Sequence, residues 1–200
     1  MFYDPKKGHN LPYDPFKAII SPRPIGWISS RDPFGNINLA PYSFFNAVAD
    51  KPPMVIFSTT GQKNLEPTKK DSLSNIETTG EFVVNIVSFE LTDKMNKTSG
   101  NFSNEEDEFE IANLTKASCQ KVKSPRVEES PASLECELYK TIKLPGQHNT
   151  LVIGEVIGIH IMDKYMRDGV FCITDFSPVA RLGYNDYTCI KKTFSLLRPK

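Results

Sequence analysis

The chain is short of histidine, of close cysteine pairs and of net charge, and each shortage removes a class of function. His9, His148 and His160 stand far apart and no HExxH segment occurs, so the sequence offers no zincin-type centre. Cys119, Cys136, Cys172 and Cys189 form no CxxC, which argues against a structural zinc site or a thioredoxin-type centre and for free, reduced thiols. Lysine plus arginine and aspartate plus glutamate number 24 each, leaving no overall field to draw nucleic acid or an anionic membrane. No apolar run reaches membrane-spanning length, and MFYDPKKGHNLPYDPF lacks the apolar centre of a signal peptide. A cytoplasmic protein with neither membrane nor nucleic-acid partner is therefore expected. There is no GxGxxG and no GxxxxGK[ST], and Ser43 and Ser58 lack the flanking glycines of a nucleophile elbow. Dinucleotide-fold, P-loop and hydrolytic readings are all unsupported.

What is present fits one globular domain over residues 1–200, with 39% apolar and 24% charged residues. Residues 1–20 read as a proline-interrupted lead-in that packs on the surface. In Ile25–Ser30, Ile25 and Trp27 share one face and Ile28 takes the other. The turn Asp32-Pro33-Phe34-Gly35-Asn36 predicts a hairpin back through Ile37–Ala40. A polar-aromatic loop ended by Pro52-Pro53 is expected to follow, then a buried strand at Met54–Ser58. A helix is expected over about Thr68–Thr79, with Thr68 and Asp71 as a capping box and Gly80 as its stop. Phe82–Val87 reads as a strand and Ser88–Ser99 as a second helix with Leu91 and Met95 inward. Residues 100–132 read as a surface excursion with a short helix near Phe109–Leu114. Ser133–Leu144 and Leu151–Met162 read as strands, with Gly154 and Gly158 marking bends or bulges, and Phe171–Thr174 as a short piece. Helices do not alternate with strands, so the expected class is mainly β with α, an antiparallel barrel with flanking helices.

Two stretches carry candidate chemistry. Ser29, Ser30, Asn38, Ser43 and Asn46 can bond a polar-edged ligand, with Trp27, Phe44 and Phe45 as ring contacts; the same aromatics can equally fill the barrel. Lys69, Lys70, Asp71 and Ser72 stand at a helix start, where free N–H groups and the dipole favour an anion, or where an ordinary solvated cap stands. His160 reads as a wall residue of its strand.

The succession SPRPIGWISS, NLAPYSFFNAVADKPPMVIFS, KKDSLSNIETTGEFVVNIV, ESPASLECEL, GEVIGIHI and PVARLGYNDY resembles the flavin reductase-like, FMN-binding split-barrel family, which includes flavoredoxin. The resemblance covers roughly residues 20–190. It implies a six-stranded antiparallel split β-barrel with flanking helices, a homodimer, and one noncovalent FMN per subunit near the dimer interface. It implies NADH or NADPH as reductant and a small-molecule or protein electron acceptor. Trp27, Ile28, Ser29 and Ser30 with Ser43, Phe44, Phe45 and Asn46 would border the flavin, and Ser58 and Thr59 would follow. Lys70, Asp71 and Ser72 would lie at the ribityl-phosphate end. Arg181 and the segment from Tyr184 to Tyr187 would approach from the C-terminal side. Two departures stand out: serine replaces the family's threonine at Ser72, and Tyr184 replaces the second of two glycines. No side chain is expected to act as catalytic acid or base, because the cofactor carries the reaction. The implied activity is an FMN-dependent oxidoreductase. The alternative is a non-catalytic FMN-binding module, a store or sensor.

Overall fold

The computed structural model describes residues 1–61 and 69–199. After a helical turn, α1 (Phe16–Ile19), come β1 (Arg23–Pro24), β2 (Gly26–Arg31), β3 (Ile37–Tyr42), β4 (Phe45–Asp50) and β5 (Pro53–Thr59). Helix α2 (Asp71–Thr79) leads to β6 (Glu81–Ile86), then α3 (Thr92–Lys97) and α4 (Glu108–Ile111). The two-residue pair β7 (Lys116–Ala117) and β8 (Arg126–Val127) precedes the long strands β9 (Ala132–Lys143) and β10 (Thr150–Ile161). Small strands β11 (Met166–Arg167), β12 (Val170–Phe171), β13 (Val179–Arg181) and β14 (Tyr187–Cys189) finish the chain.

One antiparallel sheet runs in the order β3-β2-β6-β9-β10-β5-β4. Its two edge strands, β3 and β4, follow each other in sequence with only Ser43 and Phe44 between them. The sheet must therefore curl until its edges meet, and Ser43–Phe44 marks the seam of a split barrel. Across that seam the Ser58 N–H donates to the Phe44 carbonyl at 2.8 Å, and the Tyr42 and Phe57 rings lie 4.8 Å apart. The expected barrel is present, and among the described residues its sheet pairs seven strands where the resemblance implies six. Strand β4 falls in the expected polar-aromatic loop, which is instead the end of β3, a two-residue corner and a further strand. Strand β10 changes register between Ile153 and Gly154 and between Val156 and Gly158, as its glycines suggest. A Cβ at Gly154 would stand 2.4 Å from the Phe82 ring, so only glycine lets the two strands close there.

Side-chain alternation on β2 divides the apolar residues between two cores. Ile28 points into the barrel with Phe57, Phe82, Val84, Val152 and the α2 residues Leu73 and Ile76. Ile25 and Trp27 point outward, into a second cluster with Leu91, Met95, Phe109 and Val127. Each fully buried large side chain here contributes about 1.5–3 kcal/mol. Helix α2 begins at Asp71, three residues later than expected, with Lys70 as its N-cap and no side-chain cap bond. Thr68, the first residue of the expected capping box, lies outside the described residues. Gly80 ends the helix in the left-handed conformation (φ 75°).

Residues 100–132 do not simply run over the surface. Both oxygens of the buried Glu135 carboxylate take backbone N–H groups from this segment, Gln120 on one and Lys121 and Val122 on the other. Glu81 takes those of Lys123 and Ser124, and Asn85 that of Val127. Burial alone would raise the Glu135 pKa, but these donors and His160 hold it below the usual carboxylate range. Cys119 and His160 flank Glu135, the three ligand atoms lying within 4.8 Å. With the carboxylate already so fully bonded, this cluster is a structural clamp.

Candidate functional site

The seam of the barrel opens onto a cavity of about 320 Å³, within the usual range for small-molecule sites of about 300–1,000 Å³. The corner Ser43–Phe44, the strand end at Ser58 and the start of α2 at Lys70–Ser72 form one side. Lys17, Arg23, Arg181, Tyr184 and the loop from Thr98 to Phe102 complete its lining.

Arg23 and Arg181 face each other as direct partners across the antiparallel pair β1 and β13. Like charges placed so repel, a cost of a few tenths to about 1 kcal/mol. The arrangement is held by backbone acceptors. Arg23 donates to the carbonyls of Lys17, Ile20 (2.6 Å) and Leu182 (2.8 Å). Arg181 donates to the Tyr184 carbonyl (2.6 Å) and the Tyr187 hydroxyl, and its guanidinium lies over the Tyr187 ring at 4.3 Å. Burial, then the Arg181 charge, pulls the Arg23 pKa below its ordinary value. Arg23 is only 6% exposed, and its buried Nε has no partner among the described residues. Lys70 and Ser72 at the start of α2 line the same cavity, and a helix start favours an anion. These donors and cations fit a ligand that carries an anionic group, and Phe44 and Tyr42 offer ring surfaces for a flat one.

The α2 side holds a polar chain. The Glu108 carboxylate, 5% exposed, accepts from the Asn38 side-chain amide at 2.7 Å and the Leu39 N–H at 3.1 Å. The Ser72 hydroxyl donates to the Asn38 carbonyl oxygen at 2.5 Å. Burial pushes the Glu108 pKa up to about 7 and that of Tyr42, which bonds to Ser72, up to about 12.

Of the residues singled out from sequence, Asn38, Ser43, Phe44, Ser58, Lys70, Asp71, Ser72, Arg181 and Tyr184 come together here. The others do not reach the cavity. Trp27 is fully buried in the outer cluster and its indole N–H donates to the Thr98 hydroxyl at 2.8 Å, so it anchors the Thr98–Phe102 loop from beneath. Ile28 fills the barrel. Ser29 donates to the Pro125 carbonyl, and Ser30 accepts from Asn75. The Phe45 ring packs on Gly26, where a Cβ would meet it at 2.7 Å. Asn46 is exposed and bonds the next N–H. Thr59 is buried beside the Thr150 carbonyl. For the β2 residues the reason is alternation: both faces of that strand are already occupied by core.

Tyr184 has a left-handed backbone (φ 57°), which costs a residue other than glycine about 1–2 kcal/mol. Its ring turns against Tyr13 with centroids 5.6 Å apart. Gly183 before it packs on α1, where a Cβ would stand 2.3 Å from that of Ala18. Sequence reasoning missed Lys17, Arg23, Asn38 as a relay member, Tyr42 and Glu108. The prolines flanking Arg23 were the only signal for it, since they fix an extended segment. Glu108 sits unmarked in an acidic run.

A sequence model described as "Flavin reductase like domain" matches residues 20–177. This chain belongs to the flavin reductase-like family. A relative from Aquifex aeolicus, itself uncharacterised, is 38% identical over 171 residues, with 85% of each chain covered. Among solved structures, nitrilotriacetate monooxygenase component B from Bacillus cereus is similar at TM-score 0.89 and 29% identity, over 98% of each chain. The 2-nitrobenzoate 2-nitroreductase of Pseudomonas fluorescens is similar at TM-score 0.86 and 25% identity, over 100% of this chain and 96% of that one. The flavoredoxin of Desulfovibrio vulgaris shares the fold at TM-score 0.74 and 22% identity, over 88% of this chain and 90% of that one. The family is thus one of flavin-related redox proteins on a split barrel. No helix among the described residues is long and apolar enough to cross a membrane.

Proposed function

We propose that the cavity holds FMN and that the protein is an FMN-dependent oxidoreductase using NADH or NADPH to reduce a free flavin, a protein partner or a small acceptor. The observation that carries this reading is the Arg23–Arg181 pair, two guanidiniums held against each other at a cavity that also gathers Lys17 and Lys70. Such a cluster of cations, with an unpartnered buried Nε, suits a phosphate. When bound, the flavin supplies the redox chemistry by taking hydride from a nicotinamide and passing electrons on. The chain's own residues bind and orient it. Arg23, Arg181 and Lys70 neutralise the phosphate, while Phe44 and Tyr42 border the ring and Trp27 fixes the loop that closes over it.

The purified protein is expected to take up FMN as a yellow chromophore that bleaches anaerobically with NADH or NADPH. A protein that binds no FMN sinks the reading. Tyr184, at the cavity and in place of the family's glycine, favours a second reading in which FMN is bound but not turned over. FMN that resists both nicotinamides and reduces no acceptor would establish that one.

The same reading includes a homodimer. Val48 on the edge strand β4 is exposed, as are Ile159 and Ile161 on β10 and the tail residues Phe194, Leu196 and Leu197. Apolar surface on this scale suits a partner copy. Sedimentation of a monomer at micromolar concentration would remove that element alone.

A further inference from the structure

The hydrogen bonds joining Glu108 to Ser72 have a direction, and Glu108 dictates it. An ionised carboxylate only accepts. While Glu108 is charged, Asn38 must therefore turn its NH₂ toward it, as observed at 2.7 Å. The Asn38 carbonyl oxygen is then left for Ser72, whose hydroxyl proton is committed to it at 2.5 Å. In this state Ser72 offers its neighbours lone pairs and no proton.

Protonation reverses the links from Glu108 through Asn38 to Ser72. The Leu39 N–H can only donate, so the Glu108 oxygen facing it at 3.1 Å remains an acceptor in both states. The added proton must sit on the oxygen facing Asn38. That oxygen then donates, the Asn38 amide turns over to accept, and its NH₂ comes to face Ser72. Ser72 becomes the acceptor and swings its own O–H toward Tyr42 and the cavity, both of which it borders. One proton enters from solvent and no covalent bond other than O–H changes.

We propose that Glu108 is a positioning residue which sets, through Asn38, whether Ser72 presents a donor or an acceptor to the ligand, so that one proton on Glu108 tightens the binding of a phosphate-bearing flavin. This rests on the flavin reading of the cavity. The surroundings favour titration in a useful range. Burial, and then the Asp71 charge on α2, raise the Glu108 pKa, against the donors from Leu39 and Asn38, to about 7. Strand β3 presents Asn38, Leu39 and the phenol of Tyr42. On Glu108's own segment Asp107 pairs with Lys116, which also reaches Glu110 at 3.8 Å. Lys70 shares the cavity wall, and Asp32 and Glu106 line the adjoining hollow.

Glu108→Gln separates the two directions. Its side-chain oxygen must serve the Leu39 N–H, which puts its NH₂ against Asn38 and would fix an acceptor there, the arrangement of the protonated acid. The test is FMN affinity by fluorescence from about pH 5.5 to about pH 8.5, in wild type and variant. The phosphate's own second ionisation, near pH 6, affects both proteins and cancels in their ratio. The two are expected to match at the acid end, with wild type about tenfold weaker at the alkaline end, the size of one hydrogen bond to a charged group. On a Ser72→Ala background, adding Glu108→Gln should change nothing at any pH. Equal wild-type and Glu108→Gln affinities throughout, or a gap that survives in Ser72→Ala, would overturn the proposal. Side-chain NMR reads it without flavin: Asn38 amide signals must shift with the Glu108 carboxyl in wild type and stay fixed in Glu108→Gln. If FMN does not bind but those signals titrate together, the flavin reading fails and the relay stands; if Asn38 ignores Glu108, the relay fails.

Discussion

The barrel interior and the cavity wall settle their interactions differently. Inside the barrel, Phe57, Phe82, Ile76 and Val84 are all fully buried and carry no polar side-chain atoms. At the wall, β1 and β13 force two guanidiniums together, an Nε is left over, and a buried carboxyl sits on the edge of ionisation. Consistency is what a fold requires, and departures from it concentrate where function does. The interior should therefore govern stability and the wall should govern what is bound. Each substitution below asks whether those two properties really separate.

Phe82→Ala should do the most damage. It empties the space beside Phe57 and Gly154 and should cost about 3–5 kcal/mol of stability, read as a lowered melting temperature. The FMN affinity of the fraction that stays folded at low temperature should stay close to wild type. A large loss of affinity there would break the separation.

Arg23→Ala is the counterpart at the wall. FMN affinity should fall about 100-fold, or about 2.7 kcal/mol at 1.36 kcal/mol per decade, with a smaller loss for riboflavin, which has no phosphate. Stability should fall by about 1–3 kcal/mol, because the Lys17, Ile20 and Leu182 carbonyls lose their donor. Equal losses for both ligands would mean that Arg23 acts only on the fold.

This division also decides what could be read from the sequence. The interior was legible because burial writes itself as alternation: Ile28 against Ile25 and Trp27, glycines where β10 bends, Leu91 and Met95 one helical turn apart. The helix start at Lys70–Ser72 and the corner Ser43–Phe44 were legible as polar clusters between apolar runs. Strand β4 was not, because its side chains are mostly exposed and Phe45-Asn46-Ala47-Val48-Ala49-Asp50 shows no firm alternation. Trp27, Ser29 and Ser30 were misplaced because a strand's composition does not say which face meets a ligand. Glu108 stayed hidden because only the fold turns one member of an acidic run inward, after Asp107 has capped the turn at Phe109 N–H.

Glu108→Gln probes the wall through stability rather than binding. Burial raises the pKa of the folded carboxyl to about 7, above the ordinary carboxylate range. Its favourable protonated form is fully present below the unfolded pKa, and that stability is lost as pH rises through the folded one. Wild type and variant should melt alike near pH 4 and diverge as pH rises to about 7, with the variant more stable by on the order of 3 kcal/mol above that. Parallel curves across the range would mean that Glu108 is as easily ionised in the folded chain as in the unfolded one, and the wall would then be as settled as the interior.

Tyr184→Gly should have the smallest effect on stability. Glycine removes the left-handed strain, about 1 kcal/mol, but loses the contact with Tyr13 and adds freedom to the unfolded chain, so the melting temperature should move little. The informative quantity is the rate at which NADH or NADPH bleaches bound FMN. If the Tyr184 ring screens the flavin, the variant should bleach several-fold faster than wild type at unchanged FMN affinity. A wild type that bleaches readily and a variant no faster would place Tyr184 outside the nicotinamide path and leave the glycine of related chains as a matter of backbone conformation alone. A wild type that is inert and a variant that turns over would make this residue the step between a binding module and a reductase on one barrel.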